Sequence, residues 1–238
     1  PYPSSGGDWR VDADNQPLPP TLETANLVIT VPRAAMPESG FPTAVFVRAG
    51  GGGERPLVDR GVQAETGGPA LTPGSGPALE FARAGYAGVQ VDGPLGGRRN
   101  TTRGDEQFLV FNVFNLAALR DNVRESALEL ALLARVLDDL EIDTRDCPGA
   151  PPVVTLDAAR RVLMGHSTGA TIAPLALAVE PSFEAVILSG AGGSYVENVL
   201  HKRKPAEILP VANLLVRYVD RSLSAYDPAL NIVQWALE

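Results

Sequence analysis

Short apolar runs, rich in β-branched residues, alternate with helical patterns along most of this chain, and that alternation constrains the fold more than any other feature. The runs are "NLVITV" from Asn26, "TAVFVR" from Thr43, "YAGVQVDG" from Tyr86, "RVLMG" from Arg161 and "EAVILSG" from Glu184. Being apolar on both faces, they predict strands of a mostly parallel sheet with helices on each side, so the expected class is α/β. A helix is predicted over "ALEFARAG", closed by Gly85. A longer one is predicted over residues 115–142, where Leu116, Leu119, Val123, Ala127, Leu130, Ala134 and Leu137 share one stripe. Residues 50–77 are rich in Gly and Pro and read as a long loop. Pro148, Pro151 and Pro152 mark a second loop leading into "RVLMG".

Composition narrows the function classes. Of 238 residues, 45% are apolar and 20% charged, with a formal net charge of −8. An acidic surface offers no field to gather nucleic acid or anionic lipid. Lys202, Arg203 and Lys204 form the one compact basic run and read as a solvated helix end. The single cysteine, Cys147, excludes an intrachain disulfide and a four-thiolate metal site. With two histidines and no metal-ligand spacing, neither metal nor cofactor is expected. No apolar stretch reaches the ~18–20 residues that cross a bilayer.

The chain starts at Pro1, without an initiator methionine, in "PYPSSGGD". A trimmed chain and a secreted or periplasmic protein that has lost its signal both fit. The expected organisation is an N-terminal extension or edge hairpin over 1–25, with "WRVDAD" as a short strand, a core over 26–195, and a helical cap over 196–238 broken by Pro205, Pro210 and Pro228.

The chemistry concentrates at Gly165-His166-Ser167-Thr168-Gly169, which fits Gly-x-Ser-x-Gly between a predicted strand and a predicted helix. Such a serine sits in a strained turn that lifts its hydroxyl above the sheet, and flanking glycines remove Cβ atoms that would collide. Ser167 is the candidate nucleophile, and Thr168 N–H the candidate oxyanion donor at a helix N-terminus. The plainer reading makes Ser167 an ordinary helix N-cap.

"VLMGHSTGA" resembles the strand, elbow and helix of the α/β-hydrolase family, in particular its bacterial lipase and esterase branch. "AVFVRAGGGG" resembles the family's third strand and oxyanion loop, "GYAGVQVDGPLGGRR" its fourth strand and following loop, and "EAVILSGAGGSY" the strand after the elbow. The resemblance covers about Leu27 to Tyr195 and implies a serine ester hydrolase working through an acyl-enzyme. It also implies that Gly51 or Gly52 N–H is the second oxyanion donor. Ala49 stands where the His-Gly-Gly-Gly form of the loop has its histidine, which puts loop rigidity in question.

The family's order of nucleophile, acid and histidine raises the problem of the base. His166 reads as a packing residue inside the turn. His201 reads as part of a cap helix, and Glu180, Glu184 or Glu197 would have to be its acid. The acid and the histidine are therefore expected beyond Glu238. Without further strands the run 185–189 would be a bare sheet edge, so a companion segment or chain is expected to complete the sheet.

Asp92 reads as a loop anchor, and Ser189 and Ser194 as residues near the substrate edge. The cap's leucines and valines, with Trp235, tilt the expected small-molecule ester toward an apolar acyl or alcohol group. A peptidase or acyltransferase on the same scaffold, and a non-catalytic binding protein, remain the alternatives.

Overall fold

The computed structural model describes residues 7–19, 22–50, 53–65, 68–203 and 207–237, with the backbone alone of Gln107. The chain divides into a larger unit, Pro19–Val110 with Val123–Ala191, and a smaller one, Pro1–Leu18 with Phe111–Asn122 and Gly192–Glu238.

The larger unit is built on a six-stranded sheet. β1 (Leu27–Thr30) runs antiparallel to β3 (Ala87–Val91), β3 runs parallel to β2 (Phe41–Val47), and β2 runs parallel to β5 (Val153–His166). The start of β5 carries β4 (Glu141–Asp143) antiparallel, and its end carries β6 (Ala185–Ser189) parallel. The apolar runs predicted from Thr43, Tyr86, Arg161 and Glu184 are thus found as neighbours in one parallel array. The expected α/β class is the one observed.

Helices cover both faces, as two-sided apolar strands require. On one face, α4 (Leu116–Asp138) and α5 (Thr168–Leu177) bring Ala127, Leu130, Ala134, Leu137, Ile172 and Ala173 against Val45, Val89 and Leu163. On the other, α1 (Pro56–Asp59) and α2 (Pro77–Arg83) pack Leu57 and Ala78 on Phe46. Alternation along β2 explains the division: Val45 and Val47 point one way and Phe46 the other. Gly85, at φ 82°, ends α2 as its sequence position predicts.

Several expectations need correcting. The helix predicted to Ile142 stops at Asp138, because Ile142 pairs with Val154 in β4. The strand predicted at "RVLMG" begins eight residues earlier, at Val153, and a register shift opposite Phe41 and Thr43 accommodates the extra chain. The 50–77 loop contains α1, begun by Pro56 at its first turn. A short helix, α3 (Glu106–Val110), lies where none was predicted. "WRVDAD" forms only an isolated bridge, Val11 to Pro17.

Among the described residues no strand follows β6, and β6 pairs with β5 alone. Val186, Ile187 and Leu188 remain 39%, 51% and 41% exposed. The smaller unit gathers α6 (Tyr195–His201), α7 (Leu209–Leu215) and α8 (Pro228–Leu237) around Val196, Val199, Leu200, Leu223 and Leu230. Gln234 Oε1 accepts from Tyr195 N at 2.6 Å, tying α8 to the start of α6. No described helix is long and apolar enough to cross a membrane.

Arg161, wholly buried in β5, donates to Asp138 Oδ1 at 2.8 Å and to Ser182 Oγ at 3.2 Å. Its Nε is buried without a partner. A buried charge is tolerated only while paired. Asp138→Ala should therefore lower stability by about 2 kcal/mol, less than for a fully buried pair because Asp138 is partly solvated. Arg161→Met, which removes charge and orphaned donor together, should cost less; urea denaturation of both variants checks the ranking.

Candidate functional site

The turn at Ser167, at the sheet's carboxyl edge, has a strained backbone. β5 ends at His166, α5 begins at Thr168, and Ser167 between them has φ 54° and ψ −116°, a region L-residues rarely enter. Such a conformation costs about 1–3 kcal/mol and persists only where the surroundings enforce it.

The flanking glycines show how it is enforced. A Cβ on Gly165 would fall 2.3 Å from Gly169 O, and one on Gly169 would fall 2.1 Å from Val47 O. Only hydrogen fits at either place. The first turn of α5 thus folds back onto β5 and lies against the end of β2. Ser167 N donates to Ser189 O at 2.8 Å, so the end of β6 holds the turn from its third side.

Ser167 occupies the N-cap position of α5 but makes no side-chain capping bond. The plainer reading, a serine present to cap the helix, finds no hydrogen bond to rest on. Thr168 is the first residue of α5, where backbone N–H groups lack intrahelical acceptors and carry the positive end of the helix dipole. Gly51 and Gly52 lie outside the described residues.

His166 Nδ1 is 3.0 Å from Ser189 Oγ, a hydrogen bond whose direction depends on the tautomer. Beyond packing, then, His166 links β5 to β6 by its side chain. Burial, and then the charge of Arg60, hold its pKa below the ordinary 6.5. His201, exposed on α6, has Nε2 3.4 Å from Glu197 Oε2 one turn away. Of the other acids considered for it, Glu180 is buried and accepts from Arg135 Nε at 2.9 Å, and Glu184 donates its N–H to Arg161 O. Ser194 caps α6, accepting from Glu197 N at 3.2 Å.

Asp92 is the loop anchor expected of it. Buried just past β3, it accepts from Asn26 Nδ2 at 3.2 Å and Arg98 N at 3.1 Å, and lies 3.7 Å from Arg48 Nη1. A Cβ on Gly97 would fall 2.2 Å from Asp92 Oδ1, so the loop closes directly on the carboxylate. Arg48 also pairs with Glu106, whose Oε1 accepts from Gly97 N at 2.7 Å. Sequence reasoning missed Arg48 and Glu106 as fasteners of this edge, and also Gln90, buried in β3, which accepts from Leu57 N at 2.8 Å and donates to Glu54 O at 3.1 Å.

The smaller and the larger unit each hold a cavity. One, of about 490 Å³, is lined by Pro228, Asn231, Ile232, Gln234 and Trp235; the other, of about 300 Å³, runs between Val31–Arg33 and Asp146–Ala150.

No family model and no curated protein matches the chain. Among solved structures, it is similar to acetyl xylan esterase 1 from Thermoanaerobacterium sp. JW/SL YS485, at 17% identity and a TM-score of 0.49, over 90% of this chain and 57% of that one. It is also similar to an acetyl xylan esterase from Paenibacillus sp. R4, at 14% identity and a TM-score of 0.44, over 87% and 54% of the two chains. A glucuronoyl esterase from Solibacter usitatus is 20% identical, with a TM-score of 0.44, over 73% and 47%. The chain spans about half the length of each of these proteins.

Two measurements probe the turn. Gly169→Ala forces a carbon onto the Val47 carbonyl, which belongs to backbone and cannot yield, so unfolding free energy should drop by roughly 3 kcal/mol or soluble protein should be lost. His166 is the second probe. Because its folded pKa lies below the unfolded 6.5, the unfolded chain binds more protons as pH falls. Its contribution to stability is present above 6.5 and is lost as pH falls through the lowered folded value. Melting temperatures at about pH 7.5, 6.5 and 5.5 should decline on acidification, and His166→Gln should flatten that decline.

Proposed function

We propose that this chain carries the nucleophile and oxyanion half of a serine ester hydrolase. The observation that carries the reading is Ser167 at φ 54° between a parallel strand and the helix that starts one residue later, without a capping bond. A residue held at that cost, at the sheet edge where α/β proteins bind ligands, calls for a reason beyond folding.

In the proposed reaction Ser167 Oγ attacks the carbonyl carbon of an ester and its proton passes to a base. Thr168 N–H and an N–H of Gly51 or Gly52 stabilise the oxyanion, the alcohol departs with a proton, and water releases the acid from the acyl-enzyme. His166 is engaged with Ser189, and His201 pairs with Glu197 on α6. The proposal therefore takes the base and its acid from outside the described residues. The helices after Tyr195 are proposed as the cap, and the substrate as a small-molecule ester with an apolar acyl or alcohol group.

The same engagement of His166 favours a second reading, a binding protein of this fold that performs no hydrolysis. A fluorophosphonate probe separates them, because it reacts only with an activated serine. In the complete gene product, Ser167 should be labelled and should hydrolyse p-nitrophenyl esters, and Ser167→Ala should lower both by a factor of about 10³ or more. An unlabelled Ser167 in the complete, folded protein decides for the binding protein.

A further inference from the structure

The close approaches at Gly165 and Gly169 are repulsive limits: they forbid other paths for the chain at Ser167 but do not pull it into place. Attraction to the neighbouring strand comes from Ser167 N, which donates to Ser189 O at 2.8 Å. Ser189 is the last residue of β6, and the chain leaves it at Gly190 with φ 66°. Its register partner is His166, the last residue of β5. The two side chains meet as well, with His166 Nδ1 3.0 Å from Ser189 Oγ. Ser189 is thus tied to the end of β5 twice, by its carbonyl to Ser167 and by its hydroxyl to His166. Among the described residues β6 pairs with β5 alone, and a strand end held from one side opens easily.

A bond of ordinary strength is comparable with the strain that a positive-φ residue stores, so the grip on Ser189 bears directly on the turn. His166 and Ser189 are both partly buried, which shields their bond from competing water. We propose that His166 is a positioning residue for the nucleophile: its bond to the Ser189 side chain holds the end of β6 in register, so that Ser189 O keeps Ser167 N, and with it the strained turn, in place. The inference rests on the proposed hydrolase reading. It gives His166 no part in proton transfer; the imidazole acts through Ser189 on the residue that follows it in the chain.

The test uses the complete gene product with His166→Phe, which keeps a ring without its nitrogens, Ser189→Ala, which removes the partner hydroxyl, and the double variant. His166→Asn places an amide near the position of Nδ1 and serves as the rescue. With p-nitrophenyl acetate, each single loss should lower kcat about tenfold with KM within about twofold, because a misplaced nucleophile is felt in the transition state. The double variant should lie within about twofold of either single one, since both remove the same bond. His166→Asn should return kcat to within about threefold of wild type. A kcat within about twofold of wild type in both single variants, losses that multiply in the double variant, or an Asn variant no better than the Phe variant overturns the proposal. If His166→Phe does not fold, Ser189→Ala and His166→Asn carry the comparison. Amide exchange of Ser167 N–H is read in parallel, with Leu163, paired on both sides within β5, as the internal reference. Faster exchange at Ser167 with Leu163 unchanged supports the anchoring, and unchanged protection of Ser167 overturns it. If Ser167 is unreactive in the wild type, the hydrolase reading fails by itself, and the exchange data still decide whether His166 holds the turn.

Discussion

Gly169 lets the first turn of α5 lie directly on the last carbonyls of β2, and much of the sheet's carboxyl edge follows from that approach. With Gly165 admitting Gly169 O in the same way, the chain has no room to leave β5 except through a sharp pivot at Ser167. The positive φ of Ser167 is then imposed by packing, with the bond to Ser189 O closing the third side. Strain of this kind is stable because the elements around it are themselves rigid: α5 is buried through Ile172, Ala173 and Ala176 against the core, and β2 is buried along its whole length.

Around this pivot the polar groups divide the work. Asp92 and Glu106 close the loop after β3 and hold Arg48; Gln90 reaches beneath to α1. These are buried or partly buried groups that join nearby loop backbone to distant partners such as Arg48 with Glu106 and Gln90 with Leu57, and each would be costly if left alone. The edge is therefore organised cooperatively, with the strand core setting the positions of the ends and the polar contacts setting the loops between them.

The elements legible in the sequence were those specified locally. Each strand with unbroken apolar character was found, and the α4 stripe buries Leu119, Ala127, Leu130, Ala134 and Leu137 as its period predicts. The overshoot at the end of α4 has a clear cause. Leu140 and Ile142 extend the apolar pattern with no glycine or proline to stop it, yet pairing with Val153–Thr155 claims the segment for the sheet. The first half of β5, "VVTLDAAR", carries polar residues behind two prolines and reads as loop; only its partners make it a strand. At the site, Ser167 and Asp92 were legible from their neighbours in sequence. Gln90 was not, because within "YAGVQVDG" nothing distinguishes a bonded amide from a tolerated one. The partners of His166 and His201 depend on which elements lie alongside them, and no local pattern encodes that.

The half-exposed β6 strand has a colloidal consequence. Among the described residues only β5 pairs with it, and its outer backbone groups with the side chains of Val186, Ile187 and Leu188 form a template on which another extended segment can add, including that of a second copy. The opposing force is the chain's own charge of −8, which keeps copies apart over a distance set by the ionic atmosphere. At about 0.15 M salt that reach shrinks to about 8 Å. Salting therefore weakens the repulsion while leaving the sticky strand untouched, and dilute, low-salt buffer is the condition in which these molecules stay dispersed.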